Sequence, residues 1–462
     1  MILTQKDIIF ALVMMIERDI FIELERWKNR VDRSPLIVQG ARQIGKSWAI
    51  TEFGRRAYKQ VAVFNFERQK ELRSVFEQTN DVNRLLTELE LHTTVPIVEG
   101  ETLIFFDEIQ ECKAALNSLK YFNEDAPLHH VVAAGSLLGV ALRHQVDTAS
   151  NAFPVGKVDF LNMYPITFKE FLAAANPRLH DQLSQFLTSL EALPDILFNQ
   201  IAEQYRRYQM CGGLPRVARD LLDGKGMEVV QQDLENLMNA YQLDFSKHVE
   251  SRDVPRITEI WRSIPSQLSR ENKKFVFRVV REGARAREYE SALEWLTLSG
   301  MIYRVFLTET PRLPLKHYEN TTAFKVYALD QAVLLAMSDL PVEAVLAPGE
   351  LLREFKGAMA ENFVLNSLVA QGFKMPHYWT LTGNKAEVDF LIQYGLNIVP
   401  IEVKADKNIS GQSFAQYDKK YSPRLRVRFS LRNIKKDGNL LNLPIFLCDW
   451  LKPILQIIDD ND

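Results

Sequence analysis

The stretch Gly40-Ala41-Arg42-Gln43-Ile44-Gly45-Lys46-Ser47 restricts the fold of this chain more than any other part of its 462 residues. Apolar residues precede it at Pro35–Gln39, which reads as a strand, and Gly45–Arg55 follows with the spacing of a helix. A glycine-bounded loop between a strand and a helix turns several backbone N–H groups onto one concave surface at the positive end of the helix. That surface suits phosphate oxygens. The Lys46 ammonium reaches the terminal phosphates, and the Ser47 hydroxyl suits a hard cation beside them. Such a loop sits at the edge of a parallel sheet, so an α/β fold is expected.

The surrounding pattern agrees. Val61–Phe66, Thr102–Phe106 and Val131–Ala134 are further short apolar runs, and Leu72–Leu91 between them is helical. Strands alternating with helices imply parallel pairing through crossovers. The third run ends in Asp107 and Glu108. At a strand end beside a phosphate loop, one carboxylate can hold Mg²⁺ through water and the next can orient the attacking water. A solvated turn is the plain alternative. Gly135 and Ser136 close the fourth run, where Ser136 can meet a terminal phosphate or simply cap a helix. The expected ligands are ATP and Mg²⁺. Residues Gly40 to Ser47, with Trp48, contact the nucleotide, and Ser47 and Asp107 contact the metal. Lys46, Glu108 and Ser136 take part in hydrolysis. No arginine acting on the γ-phosphate is singled out among Arg143, Arg206, Arg207 and Arg216.

Further along, Leu183–Ser246 is helical apart from a break at Cys211–Pro215. Residues 256–306 show three short helical patterns and then an apolar stretch at Met301–Leu307, an order that suits a winged helix. Arg281–Glu290 would fall on its third helix. Ala358–Gln371 reads as a helix before strands at Tyr378–Thr380, Ala386–Gln393 and Ile398–Val403. Asp389 lies on one of these strands, and Glu402 and Lys404 lie two apart on the next, facing one side. With Glu361 on the preceding helix they could hold a divalent cation and activate water. The spacing matches the D-x(n)-[DE]-x-K pattern of the restriction-endonuclease-like fold, although any half-exposed hairpin alternates in this way.

Composition narrows the partners. A net charge of −3 excludes coating of nucleic acid by bulk electrostatics, so contact would need local patches. Two exist. Residues 262–290 hold eight Lys or Arg against four acids, and residues 419–436 hold eight against none, with Arg424, Arg426 and Arg428 alternating as on a strand face. Cys112, Cys211 and Cys448 lack metal or disulfide spacing. The run Ile8–Ile16 is too short to span a bilayer, and no membrane partner is expected. The location expected is cytoplasmic. His129 and His130 read as turn residues.

Together these segments resemble a family of prokaryotic AAA-type ATPases that carry a C-terminal endonuclease-like domain. The resemblance rests on Gly40–Ser47, Leu103–Glu108, Gly135-Ser136, Phe153–Val158 and Tyr164–Phe171. It continues through Gly212–Pro215, Phe324–Asp330, Phe355–Asn362, Glu387–Phe390 and Ile401–Lys404. With the patterns above it implies an ATPase core over residues 1–180, a helical lid over 181–255, a winged helix over 256–320 and an endonuclease-like α/β domain over 321–462. Members often carry Arg where this chain has Lys157. If that arginine is a finger, lysine supplies charge without the planar fork and hydrolysis would be slow. The function expected is ATP binding or hydrolysis coupled to nucleic-acid binding. The alternatives are an ATP-controlled regulatory or oligomerisation module with protein partners, and an ATP-gated metal-dependent nuclease. A homo-oligomer is admitted, its state left open.

Overall fold

The computed structural model describes residues 16–136, 138–140, 156–249, 251–270, 273–347, 352–381, 386–405 and 412–461. Arg143 and the start of the Phe153–Val158 segment lie outside them, as does most of the Ile8–Ile16 run. The chain forms two compact units, one of Arg18–Tyr164 with Leu298–Met301, the other of Pro165–Thr297 with Ile302–Asp462.

The first unit is built on a five-stranded sheet. Its strands are β1 (Leu36–Gln39), β2 (Gln60–Asn65), β3 (Thr102–Asp107), β4 (His130–Gly135) and β5 (Asp159–Asn162), in the order β2-β3-β4-β1-β5. Every neighbouring pair is parallel. The helices are α1 (Ile20–Asn29), α2 (Lys46–Ala57), α3 (Leu72–Gln78), α4 (Val82–Leu91) and α5 (Lys113–Asp125). Phe106 of β3 meets Phe64 of β2 and also Phe66, Phe76 and Phe122, tilted or edge-on, with centroids 5.6–6.1 Å apart. Edge-on aromatic pairs add to the burial of such large side chains.

Three local departures from the expected pattern have simple causes. The helical stretch Leu72–Leu91 is two helices, because Asp81 caps α4 by accepting from the N–H groups of Asn83 and Arg84. His130 is the first residue of β4 rather than a turn residue, and its Nδ1 lies 2.6 Å from the Tyr58 hydroxyl. Strand β5 had no apolar run to announce it, since it is an edge strand on which half-buried and exposed residues alternate.

The second unit carries an eight-stranded sheet. Its strands are β6 (Ile302–Thr308), β7 (Glu319–Ala328), β8 (His377–Thr380), β9 (Glu387–Tyr394), β10 (Asn397–Val403), β11 (Arg426–Ser430), β12 (Lys435–Asp437) and β13 (Leu440–Pro444). The order is β12-β13-β11-β10-β9-β8-β6-β7. Around it run α6 (Phe168–Ala175), α7 (Pro177–Phe186), α8 (Asp195–Cys211), α9 (Pro215–Leu222), α10 (Met227–His248), α11 (Val254–Leu268), α12 (Phe277–Val280) and α13 (Ala286–Leu298). They are followed by α14 (Gln331–Met337), α15 (Arg353–Ala370), α16 (Gln412–Tyr421) and α17 (Leu451–Asn461). The hairpin β6–β7 does not stand apart as a separate wing. β6 pairs in parallel with β8, so one sheet runs through the expected partition at residues 320/321, which falls inside β7. Pairing β6 on both sides satisfies backbone groups that an isolated hairpin would leave open on both edges.

Several segments that carried the family resemblance turn out to tie this unit together. The buried Asp330 carboxylate accepts from the N–H groups of Gly213 (2.9 Å) and Ala332 (2.7 Å), joining the Gly212-Gly213 turn to the start of α14. Ile166 N–H donates to the Gly213 carbonyl (2.7 Å), and the Tyr208 hydroxyl donates to the Ile166 carbonyl (2.7 Å). Thr167 and Glu170 form a capping box on α6, and Lys169 N–H reaches Asp449 at 3.0 Å. Gly212 has φ +60°, and a Cβ there would lie 2.0 Å from Asp330 Oδ1. Gly212→Ala should therefore destabilise this unit by about 1–3 kcal/mol in denaturant titration. Burial pushes Asp330 up to about 6 against the pull of its amide partners. A carboxyl raised on folding stabilises the fold when protonated, and that contribution is lost as pH rises from about 4 through about 6. Asp330→Asn should thus lose less stability than the parent protein between pH 4 and 7.

Candidate nucleotide site and the C-terminal charge cluster

Register levels the carboxyl ends of the parallel strands. Gln39 is opposite Gly135 and Asn162, Asp107 is opposite Ala134, and Asn65 is opposite Asp107. The glycine loop, the two acids and Ser136 therefore emerge on one edge of the sheet, where the strand order reverses direction about β1. Gly40 has φ +151°, and a Cβ there would lie 2.2 Å from the Met163 carbonyl, so only glycine lets the loop leave β1 beside β5.

Within the loop, Lys46 bends back over the backbone. Its Nζ donates to the carbonyls of Ala41 (2.6 Å) and Gly40 (2.9 Å) and lies 3.5 Å from Ser136 Oγ. The side chain is almost fully enclosed, and burial lowers its pKa to about 8, with Glu108 opposing and Arg42 adding to the shift. Ser47 Oγ donates to Asp107 Oδ1 at 2.9 Å. Burial raises Asp107 from its ordinary value, opposed by that bond. A hydroxyl and a carboxylate in contact at a helix N-terminus are the hard oxygen ligands that Mg²⁺ accepts alongside water and phosphate oxygens, so the residues fit the ion. Glu108 holds a left-handed backbone conformation, φ +49° and ψ +46°, and its Oε2 accepts from Gln110 Nε2 at 2.6 Å. Trp48, in the first turn of α2, is 43% exposed, and its ring centroid lies 6.1 Å from that of Phe21. Lys157 pairs with Glu124 at 3.0 Å.

Three participants were not singled out from sequence. Arg18 is buried and donates to the carbonyls of Ile44 (3.2 Å) and Tyr164 (2.7 Å), bracing the phosphate loop from the entry to α1. Asn65, at the end of β2, donates to Asp107 Oδ2 at 2.9 Å. Gln110 holds Glu108. For Asn65 a signal existed, a polar residue closing an apolar strand next to the acidic strand end. Arg18 stood only as a charge flanking an apolar run. Of the arginines considered for the γ-phosphate, Arg216 is bound by Asp233 (2.9 and 2.7 Å) and Arg207 by Gln204 (3.1 Å).

The second constellation comes together with its charges already matched. Glu361 accepts from Lys273 and from the Tyr327 hydroxyl. Glu387 accepts from Lys325, whose side chain is fully buried. Glu402 is held by Arg428 Nε at 2.7 Å and by Lys404 Nζ at 3.2 Å. Asp389 accepts from Val403 N–H at 2.8 Å. Burial works to raise Glu361, but Lys273 and Lys325 prevail and its pKa falls. Burial and the neighbouring Glu361 push Asp389 up to about 7. Four carboxylates thus face Lys273, Lys325, Lys404 and Arg428. Among the described residues, no group of three or more His, Cys, Asp or Glu side chains is gathered to hold a metal. Glu361, Asp389, Glu402 and Lys404 are neighbours, as expected, but as parts of an ion-pair network and not as an open cation site.

The basic tracts fare differently. Arg424, Arg426 and Arg428 form no open cationic stripe. Arg424 pairs with Asp459 (2.9 Å), Arg426 with Asn439 (2.7 Å) and Asp418 (3.3 Å), and Arg428 with Glu402. In the other tract Arg262, Arg270, Arg278, Arg285 and Arg287 are exposed along α11 to α13.

Comparison with known families places an AAA domain model on residues 32–172, and two domains of unknown function, DUF8612 and DUF4143, on residues 202–344 and 356–446. No curated protein sequence matches the chain. Among solved structures, the Walker-type ATPase PABY2304 of Pyrococcus abyssi aligns at 15% identity, covering 73% of this chain and 97% of that one, with a TM-score of 0.46. The RuvB Holliday junction branch migration motor of Thermotoga maritima aligns at 14% identity over 67% of this chain and 90% of its own, with a TM-score of 0.27. Protein VC1899 of Vibrio cholerae aligns at 11% identity over 91% and 97%, with a TM-score of 0.18. The matched segment holds the whole parallel sheet, the glycine loop and the acidic strand end, so residues 32–172 form a parallel-sheet α/β fold that is similar to an AAA domain.

Proposed function

We propose that this chain is a Mg²⁺-dependent ATPase whose nucleotide cycle acts on nucleic acid bound by the second unit. The observation that carries the ATPase reading is the 2.9 Å contact between Ser47 and Asp107, with Lys46 and Glu108 at the same sheet edge. Backbone N–H groups of Gly40 to Ser47 would cradle the phosphates. Lys46 would leave the loop carbonyls for the β- and γ-phosphate oxygens, a move in which it exchanges one set of acceptors for another. Ser47 and Asp107 would hold Mg²⁺, whose charge when bound neutralises the phosphate oxygens during transfer. Glu108 would orient the attacking water, with Ser136 near the γ-phosphate.

The nucleic-acid half of the proposal rests on the exposed arginines of α11 to α13. Nuclease chemistry has less support, because each carboxylate of the C-terminal set already has a partner.

Lys46→Ala should abolish ATP binding, whereas Glu108→Gln should bind ATP and lose about 10²–10⁴-fold in turnover. Trp48 is the exposed one of six tryptophans, the others being at most 8% exposed. ATP should therefore lower acrylamide quenching of the intrinsic fluorescence, and Trp48→Phe should remove that change. Duplex DNA, single-stranded DNA and RNA are to be compared as activators. Stimulation lost in Arg278→Glu/Arg287→Glu supports the coupling, and no stimulation by any of them favours the regulatory module. With Mg²⁺ or Mn²⁺ no cleavage product is expected. Glu402→Gln, which strands Arg428, should lower stability by about 3–5 kcal/mol.

A further inference from the structure

The acid assigned to the attacking water is held in place by a neighbour to which nothing above assigns a role. Gln110 lies in the short 3₁₀ turn Ile109–Glu111 that follows β3. Ile109 is fully buried, and Glu111 pairs with Arg73 at 3.1 Å, so the turn is anchored at both ends. From it the Gln110 amide donates to Glu108 Oε2 at 2.6 Å. Its other end reaches the end of β4. A Cβ on Gly135 would lie 1.9 Å from Gln110 Oε1, so the amide fills the space that a side chain at 135 would take. Gln110 Oε1 is buried there and accepts no hydrogen bond among the described residues. Ser136 follows immediately, with its hydroxyl 3.5 Å from Lys46 Nζ.

Glu108 needs such a support. Its left-handed backbone is uncommon for a residue with a side chain and persists only where the surroundings over-determine it. A glutamate side chain has three rotatable bonds, and an acid that orients water must keep one of many rotamers. The amide of Gln110 removes that freedom at one carboxylate oxygen and leaves the other, Oε1, for the water. Gly135 in turn admits the amide, because its carbonyl end sits where a Cβ at position 135 would lie.

We propose that Gln110, packed against Gly135, is a positioning residue for Glu108 that sets the rate of ATP hydrolysis without contributing to ATP affinity. This rests on the assignment of Glu108 to the attacking water. It makes Gly135, at the end of the neighbouring strand β4, a partner of the acid that follows β3, rather than only a small residue before Ser136.

The test compares steady-state ATP hydrolysis and ATP affinity in the full chain and in Gln110→Ala, Gly135→Ala, Glu108→Gln and the double variant Glu108→Gln/Gln110→Ala. Gln110→Ala should lower kcat by about 10- to 100-fold, the scale of a misplaced reacting group, with ATP affinity within about two-fold of the parent. Gly135→Ala should do the same by expelling the amide. In the Glu108→Gln background, Gln110→Ala should change kcat by less than about two-fold, since the group it positions is already gone. A kcat within about two-fold of the parent for Gln110→Ala overturns the proposal. So does an equal loss in both backgrounds, which would mark a general structural effect. Activity of the parent protein no greater than that of Lys46→Ala overturns the hydrolysis reading itself, and with it the role of Gln110.

Discussion

The hydroxyl of Ser47 and the carboxylate of Asp107 meet at 2.9 Å although 60 residues separate them in the chain. They meet because β1 and β3 both pair in parallel with β4, in a register that brings their carboxyl ends level. Everything else at this edge follows from that alignment. Asn65 reaches Asp107 from β2, Ser136 lies by Lys46 from β4, and Arg18 fastens Ile44 to the segment after β5. A slip of one residue in any of these pairings would turn alternate side chains to the opposite face and dissolve the site.

The second unit depends on a different balance. Lys325 has no exposed side-chain surface, yet the carboxylates of Glu387, Glu361 and Asp389 hold its pKa above the ordinary value against the effect of burial. Buried charges of one sign cost several kcal/mol each unless opposite charges accompany them. Here β7, β9, β10, β11 and α15 each contribute members, and the network closes on itself. An acid-rich patch read from sequence as a cation site is thereby converted into a cross-brace. The same closure takes Arg428 out of the basic stripe. Two features that looked separate in the sequence, the C-terminal acids and Arg428 of β11, are two sides of one set of ion pairs.

Much of the first unit was legible because its signals are local. A glycine loop requires its own backbone shape, and the three buried parallel strands β1, β3 and β4 are continuous apolar runs. What escaped were residues whose role depends on distant partners. Asp159–Asn162 is a strand only because β1 offers it an edge, and Arg18 matters only because it spans Ile44 and Tyr164. In the second unit β8, β9, β10 and the helix before them were legible, whereas β7, β12 and β13 and the continuity of β6 with β8 were not, since nothing in a strand's sequence says which edge it will join. The family-like segments Gly212–Pro215 and Phe324–Asp330 could be quoted as words in the sequence. Their physical content, an Asp330 carboxylate receiving the Gly213 amide, belongs to the fold.

The sequence alone determined that a glycine loop of the phosphate-binding pattern lies at Gly40–Ser47 and that Asp107 and Glu108 follow an apolar run, because loop chemistry and strand polarity are short-range properties. The tertiary structure alone decided which charges are left to act. Asp107 remains beside Ser47 at the open strand ends, whereas Glu361, Glu402 and Arg428 are bound to one another or to nearby lysines. The reason is that the strength of a charge depends on its neighbours and its burial, and both are set only when distant segments pack together.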